Sequence, residues 1–487
     1  MPPTPPAPHR PATRATAGAT QIFCASTLYG AATLAAALDA DAFAPADRRL
    51  LLVCNNATTP ETSPALDEMP GFAPLRDRFD EVRSWNEAIS PFHPGAWSPR
   101  PDDVPLLERY LRLLWGLGDD RVTIVLESIQ VNPAQAIAQL FPGAPVDVYA
   151  DGLMSYGPTR DKLDPLLGTR VRRVLHLDLV PGLTPLLLTE FGAPAQTVPA
   201  TAFLKVLGEV ADAVPEVPSL PQDCALLLGQ YLSALEILTP QQEEELHVRM
   251  LRGAVARGHR TVVFTPHPTA PARYSRALEA EAEQLGVTLT VLGTPVLAEV
   301  LFDRARPALV VGCFSTALFT ASSFYGLPVA RVGTESLLER LVPYQNSNRV
   351  PLVLADALLP DLEDLEGPES PESPAGPESP ADPKVRENLG AGGGERPVGA
   401  GDVAELLAAV GFVMQPQIHP GLRPVAERYL RTRLGPRTWR YFRRRRLTAL
   451  GLPGGIPQRL AFLPRHAAAR RVVRRARVLR RAVRRRK

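Results

Sequence analysis

Residues 261–268 read TVVFTPHP, and the fold is decided there. Residues 261–265 are apolar and β-branched, run for only five positions and end at a proline, which predicts a short buried strand. Pro268 has a fixed φ and no backbone N–H, so the chain leaves the sheet at that point. His267, held between Pro266 and Pro268, then stands at the carboxyl end of a strand. In open α/β sheets ligands bind outside that end. His267 is therefore a candidate catalytic residue and Pro268 a candidate nucleotide contact. The tripeptide alone favours a plain strand end with a surface histidine, so the flanking sequence must decide.

On either side the βα theme repeats. Residues 225–229 predict a strand, and Gly229-Gln230 at its end are candidate nucleotide-binding residues. Thr239-Pro240 then opens a helix that runs to about residue 256. Thr caps it, Pro suits the first helical position, and Glu243 to Glu245 lie in the first turns. Helix 272–286, strand 287–292 and short helix 295–302 follow, the last carrying Glu299. Strand 308–311 ends in Gly312-Cys313-Phe314-Ser315-Thr316, a helix follows to about residue 325, and 329–332 is a last strand. Gly312, Ser315 and Thr316 thus sit where strand meets helix, and the free N–H groups of a helix N-terminus favour phosphate. Simple N-capping by Ser315 is the competing account.

The first half has the same rhythm. Strand 21–25 runs into Ser26-Thr27-Leu28-Tyr29-Gly30 and a helix over 31–38. Ser26, Thr27 and Gly30 are candidate acceptor-binding residues, with ordinary capping as the alternative; no GxGxxG dinucleotide fingerprint is present. Strand 50–54 follows, then helix 106–117, and strand 122–126 delivers Glu127-Ser128. After helix 133–140, strand 146–149 delivers Ala150-Asp151-Gly152. Gly152 is expected to turn the chain with a positive φ, leaving Asp151 as a candidate general base. Residues 174–179 predict another strand, and the proline-studded 214–221 a linker.

The resulting expectation is an α/β protein with two Rossmann-like, doubly wound domains facing a cleft. Residues 1–19 are expected to be a disordered arm, 20–218 an N-terminal acceptor domain, and 222–355 a C-terminal nucleotide-sugar domain. Residues 360–401, rich in Pro, Glu, Ser and Gly, cannot bury a core and are expected to be a disordered linker. Residues 402–487 hold C-terminal helices and a basic tail.

Composition limits the function classes. The chain has 487 residues, 45% of them hydrophobic, which suits a globular protein of two or three domains. No apolar run is long enough to span a membrane, and the N-terminus lacks a signal core, so the expected compartment is the cytoplasm. Four scattered cysteines, Cys24, Cys54, Cys224 and Cys313, have neither zinc-ligand nor disulfide spacing. The net charge of +3 conceals an asymmetry. Residues 437–487 hold 19 of the 54 basic residues and no acid, leaving 35 basic against 51 acidic residues elsewhere, a net of −16. In the tail, Val472, Ala476, Leu479 and Val483 form one apolar helical stripe among arginines. That pattern predicts peripheral association with the anionic inner face of a membrane. Nucleic acid attracts the same charge, but the tail lacks aromatics for base stacking and the body is acidic. A solvated arginine tail is the remaining alternative.

Taken together, strand-Asp-Gly (Asp151-Gly152), strand-His-Pro (His267-Pro268), Glu299 on a following helix, and Gly-x-x-Ser-Thr (Gly312, Ser315, Thr316) resemble the bacterial sialyltransferases. The similarity is greatest to the α-2,8-polysialyltransferase family and covers roughly residues 20–350. The resemblance implies a glycosyltransferase B-type fold, CMP-sialic acid as donor, a glycan acceptor, no metal and no cofactor, in capsule or surface polysaccharide synthesis. It implies that Asp151 is the base, His267 the acid, Ser315 and Thr316 a phosphate clamp, and Glu299 a nucleotide contact. The family motif has two acids before the glycine, whereas Ala150 stands first here; Glu127, from the neighbouring strand end, is the candidate substitute. The residues themselves also fit a CDP-glycerol-type polymer transferase, or a non-catalytic binding protein on a degenerate transferase fold.

Overall fold

A computed structural model describes residues 17–214, 220–221, 223–267, 273–293, 296–364 and 400–456. The chain forms two compact units, Met1–Asp151 with Leu163–Leu177 and Ala193–Pro215, and Gly152–Lys162 with Asp178–Gly192 and Glu216–Lys487.

The first unit holds a seven-stranded, all-parallel sheet in the order β3-β2-β1-β4-β5-β6-β7. Its strands are β1 (Ala19–Ala25), β2 (Arg48–Val53), β3 (Glu81–Ser84), β4 (Arg121–Glu127), β5 (Val146–Ala150), β6 (Val171–Leu177) and β7 (Ala195–Val198). Its longer helices are α1 (Leu28–Asp39), α4 (Val104–Leu114), α5 (Ala134–Leu140) and α7 (Ala200–Asp212); α2 (Ala73–Arg76), α3 (Trp85–Ala88) and α6 (Pro165–Gly168) are single turns. The central strands are near-continuous apolar runs because helices cover both faces of a parallel sheet; Ile22, Phe23, Leu50, Leu51 and Ile124 are fully buried.

The second unit holds a five-stranded parallel sheet in the order β10-β9-β8-β11-β12. Its strands are β8 (Ala225–Leu228), β9 (Thr261–Thr265), β10 (Thr288–Val291), β11 (Leu309–Gly312) and β12 (Val329–Arg331). Helices α8 (Pro240–Ala256), α9 (Arg273–Leu285), α10 (Ala298–Ala305) and α11 (Thr316–Ser323) alternate with them. Helices α12 (Thr334–Arg340), α13 (Arg349–Leu358), α14 (Ala400–Met414), α15 (Arg423–Thr432) and α16 (Arg444–Leu450) complete the unit. Each strand order reverses direction once, between β1 and β4 and between β8 and β11. These are the switch points at which doubly wound sheets open a crevice for ligands.

The sequence reading needs several corrections. Strands β3 and β7 were not expected. Both are short edge strands, EVRS and AQTV, with little apolar content to announce them. Helix α10 lies three residues later than expected. Gly18 and Ala19, assigned to the arm, join the sheet: Gly18 N donates to Asp120 Oδ1 at 3.0 Å and β1 starts at Ala19. Residues 360–364, assigned to the linker, also have structure. Asp361 accepts from Arg331 at 2.5 Å, and Leu362 is fully buried against Gly253. Ala400 and Gly401 already belong to α14. Residues 152–162 and 178–192, placed in the first domain, belong to the second unit, where Tyr156 Oη accepts from Val180 N at 3.2 Å. Residues 1–16, 365–399 and 457–487, which hold most of the arm, the linker and the apolar stripe of the tail, lie outside the described residues. No helix among the described residues is long and apolar enough to cross a membrane.

A buried polar knot fastens the C-terminal segment to the second sheet. Asp356 accepts from Thr334 Oγ1 at 2.7 Å, Tyr441 Oη at 2.8 Å and Arg440 Nη1 at 3.3 Å, with Arg331 Nη1 at 3.4 Å. Breaking such a pair leaves buried charges uncompensated, typically at a cost of about 3–5 kcal/mol. Asp356→Ala should therefore lower the melting transition and expose residues 437–456 to protease. An unchanged melt and digestion pattern would show that the knot does not hold the segment.

Candidate active site

At the first switch point, three strand ends converge. Glu127 closes β4, Asp151 follows β5, and the turn after β1 carries Ser26 and Thr27. Glu127 Oε2 accepts from Ser26 N at 3.0 Å and Ser26 Oγ at 2.6 Å, and the Tyr149 hydroxyl lies 3.5 Å from it. Tyr149, fully buried on β5, donates to Cys24 O at 3.0 Å. Thr27 caps α1, its Oγ1 accepting from Gly30 N at 2.9 Å. A Cβ on Gly30 would lie 3.0 Å from Thr27 Oγ1, 3.1 Å from the Tyr149 hydroxyl and 3.3 Å from Asp151 Oδ2. Gly30 thus leaves the space in which the Asp151 carboxyl rests over the start of α1.

The electrostatics follow from this packing. Burial first, and the Glu127 charge second, push the Asp151 pKa up to about 7. The Tyr149 hydroxyl is pushed well above its ordinary value, again by burial and then by Glu127 and Asp151. It remains a neutral donor. One acid is surrounded by donors, while its neighbour is desolvated and holds a proton near neutrality. That separation gives two carboxyls different tasks.

Sequence reasoning named Asp151, Glu127, Ser26, Thr27 and Gly30, and the structure gathers all five. Ser26 and Thr27 spend their hydroxyls on Glu127 and on capping, so their place is in support of the acids. Tyr149 was missed; its only signal was a tyrosine beside Ala-Asp-Gly. Gly152 corrects a reason. Its φ is −125°, ordinary extended backbone, so the turn needs no left-handed residue. What glycine supplies is room, because a Cβ there would approach Thr316 Oγ1 to 3.2 Å.

At the second switch point, Gly229 follows β8, and its N–H donates to Thr265 O of the adjacent β9 at 2.9 Å. A Cβ on Gly229 would meet that oxygen at 3.0 Å. Gln230 Oε1 accepts from Phe314 N at 3.0 Å, tying this turn to the one after β11. Glu243, in the first turn of α8 as expected, is fully buried. It accepts from Leu232 N at 2.6 Å and Ser233 N at 2.9 Å, which pins the loop beyond Gln230.

His267 stands two residues beyond β9, its ring centroid 6.1 Å from that of Tyr231. It is exposed to solvent, yet surrounding protein removes water from part of the ring and lowers its pKa; the Glu243 charge opposes that shift. Pro268 lies outside the described residues. Ser315 caps α11, its Oγ accepting from Ala317 N at 3.3 Å, and Thr316 begins the helix. Gly312 ends β11, where a Cβ would press on Leu318 at 3.2 Å. Glu299 is only 3% exposed, and its side chain is hydrogen-bonded to Thr320 on α11. Burial pushes its pKa up to about 7. Glu299 therefore faces the protein interior and braces α11 rather than standing open to a ligand. Among the described residues, no three His, Cys, Asp or Glu side chains gather to hold a metal.

No curated protein matches the sequence significantly. Solved structures of similar shape include the GT-B domain of a sialyltransferase from Photobacterium damselae, with a TM-score of 0.36 and 13% identity over 69% of this chain and 96% of that one. MurG of Acinetobacter baumannii has a TM-score of 0.36 and 13% identity over 70% and 82%. A UDP-GlcNAc 2-epimerase from Methanocaldococcus jannaschii has a TM-score of 0.40 and 13% identity over 69% and 90%. The assignment rests instead on the sequence match to the alpha-2,8-polysialyltransferase family model, which spans residues 21–334, well over half of the chain. The chain belongs to the alpha-2,8-polysialyltransferase family, and it is a glycosyltransferase whose chemistry, at the level of that family, is sialyl transfer.

Proposed function

We propose that the protein moves sialic acid from CMP-sialic acid to a hydroxyl of a glycan acceptor, with inversion and without a metal. Asp151 takes the hydroxyl proton as the acceptor oxygen bonds to the anomeric carbon. The bond from that carbon to the phosphate oxygen breaks, and CMP leaves. A single displacement of this kind inverts the anomeric centre. His267, Ser315, Thr316 and the first N–H groups of α11 meet the charge that develops on the phosphate. A phosphate beside His267 favours its protonated form and so opposes the depression caused by burial. Gly229 and Gln230 shape the nucleotide side, and Glu299 acts on it through Thr320. The observation that carries this reading is the carboxyl pair, with Asp151 poised at about 7 beside Glu127. A base works best when its pKa lies near the working pH.

We also propose that the arginine-rich tail holds the enzyme at the anionic cytoplasmic face of a membrane. Each engaged arginine contributes on the order of 1 kcal/mol at such a surface.

Three outcomes test these proposals. First, purified protein should release CMP from CMP-sialic acid when a sialylated acceptor is present, and EDTA should leave the rate unchanged. His267→Ala should lower kcat by about 100-fold or more, in the range set by removing one charge-stabilising donor. Turnover of CDP-glycerol instead, or of no donor, would reject the reading.

Second, kcat/KM should fall as pH drops through about 7, where Asp151 takes up its proton. Glu127→Gln removes a like charge and should move that acidic limb down by roughly one pH unit. Because the folded pKa of Asp151 lies above its unfolded value, the folded state holds the extra proton between pH ~4 and ~7. Stability is therefore lost as pH rises through that window, and the cost is complete above it. Asp151→Asn should abolish transfer while stabilising the fold at pH 8 by about 1–3 kcal/mol, read from denaturant melts. An Asn variant that is both active and no more stable would remove Asp151 from the mechanism.

Third, replacing the arginines of 470–486 by glutamine should abolish sedimentation with phosphatidylserine vesicles and leave soluble CMP release intact. Vesicle binding that survives the replacement would place the contact elsewhere.

A further inference from the structure

The loop after β8 carries Tyr231 between Gln230 and the buried Leu232. Its backbone is fastened on both sides. Before it, Gln230 Oε1 accepts from Phe314 N at 3.0 Å. After it, Glu243 accepts from Leu232 N at 2.6 Å and Ser233 N at 2.9 Å. A tyrosine at so fixed a point has only its side chain left to place, and that side chain goes to His267. The two ring centroids are 6.1 Å apart and the planes are tilted by 47°.

Tyr231 is itself the end of a stack of rings. It meets Tyr274 of α9 edge to face at 6.3 Å, Tyr274 meets His247 of α8 at 5.7 Å, and His247 meets Phe264 of β9 at 5.1 Å. These separations lie in the range at which aromatic rings hold a preferred geometry. Tyr274, His247 and Phe264 are all buried. Ser233 Oγ lies 2.6 Å from the Tyr274 hydroxyl, which ties the stack to the pinned loop a second time. The stack thus starts at Phe264 and returns, through two helices and a loop, to His267, three residues further along the same chain.

His247 has no other evident task. A buried imidazole is costly unless its nitrogens are bonded, yet neither ring nitrogen of His247 has a hydrogen-bond partner among the described residues. Burial pushes its pKa down to about 4, with the Glu243 charge opposing the shift, so the ring is uncharged at neutral pH. It packs as an aromatic spacer between β9 and Tyr274.

An exposed imidazole two residues past a strand can turn about its side-chain bonds. A group that meets charge as it develops works from one orientation, and holding it there in advance is what lowers the barrier. Resting on the proposed role of His267 at the departing phosphate, we infer that Tyr231 is a positioning residue for that imidazole. Its ring walls one side of His267, and the stack behind it keeps the wall in place. Tyr231 touches neither the proton nor the phosphate and acts through His267.

The test is a double-mutant cycle on full-length protein, read as acceptor-dependent CMP release. Tyr231→Leu should lower kcat by up to about 100-fold, the cost of displacing a reacting group by about 1 Å, and leave the KM for the acceptor unchanged. Tyr231→Phe keeps the ring and should stay within about twofold of wild type. In the His267→Ala background, Tyr231→Leu should change kcat by no more than about twofold, because the group it positions is gone. Ser233→Ala breaks the tie to Tyr274, keeps the backbone bonds to Glu243, and should act in the same direction with the same dependence on His267; it decides the matter if the melting temperature shows that Tyr231→Leu fails to fold. An unchanged kcat in Tyr231→Leu, or a loss of equal size with and without His267, overturns the positioning role and leaves the transferase reading standing. So does a loss in Tyr231→Phe as large as that in Tyr231→Leu. If wild-type protein releases no CMP with any sialylated acceptor, the transferase reading itself fails. NMR of protein carrying carbon-labelled histidine then decides Tyr231. The His267 signal, assigned by its loss in His267→Ala, should keep its line shape in Tyr231→Phe and broaden or split in Tyr231→Leu, and an unaltered line shape in Tyr231→Leu overturns the inference.

Discussion

Two carboxyl groups at neighbouring strand ends cannot both ionise freely in a place with little water, and the first unit is built around that constraint. Parallel pairing of β1, β4 and β5 sets Glu127 and Asp151 beside the same turn. The turn then decides between them. Ser26 gives Glu127 two hydrogen bonds, and the Tyr149 hydroxyl, which donates to Cys24 O, lies 3.5 Å away. Asp151 receives the consequence, since it is desolvated beside a charge that has nowhere to go. Thr27 and Gly30 contribute by shape: one caps α1, and the other leaves the start of that helix open to the carboxyl. The missing first acid of the Asp-Gly motif is explained in the same terms. Ala150 is a buried strand position, where a charge would be desolvated. Glu127 stands at the end of the next strand, where Ser26 donates to it twice.

The second unit fixes its backbone at the strand ends. Gly229 bonds across to β9, Gln230 across to the turn after β11, and Glu243 rises from α8 to hold the loop between. The carboxyl ends of three strands are thereby locked before any ligand arrives. Preorganised donors of this kind need no rearrangement when charge appears, and this is the condition under which they stabilise a leaving group most. The exposure of His267 fits the same scheme. Partial burial of the ring depresses its proton affinity, and the Glu243 charge opposes that shift.

Sequence alone exposed every strand of the second sheet, but of the first it exposed the centre and not the edges. Strands such as TVVFT and the run ending at Cys54 are apolar because both faces are covered, and apolar runs are readable. EVRS and AQTV lie at the rim of the first sheet, where one side has no strand neighbour and apolar content is not demanded. The acids were readable because strand ends could be located; their relative strengths were not. That depended on Tyr149 and Ser26, whose contacts span 101 to 125 positions of sequence. The crossing of 152–162 and 178–192 into the second unit was hidden for the same reason. Composition marks a segment as polar or apolar, whereas long-range packing decides which core it joins.

The basic C-terminal segment divides physically into two parts that composition treats as one. Arg440 is committed to Asp356, Arg443 to the carbonyls of Leu338 and Glu339, and Arg446 to those of Val413 and Met414. These guanidiniums satisfy buried acceptors and end-of-helix carbonyls, so their charge is spent inside the fold. From residue 459 onward the sequence adds 13 more basic residues and still no acid. Any attraction to an anionic surface is accordingly the task of that distal run, with the proximal arginines serving as its anchor on the second unit. An enzyme held this way needs no spanning helix. It needs a body that is not so acidic that it binds its own tail tightly, and a segment firm enough to transmit the attachment. The Asp356 knot meets the second requirement. The first is in tension with the net of −16 on the remainder of the chain, and ionic strength, which screens both attractions, sets the balance between them.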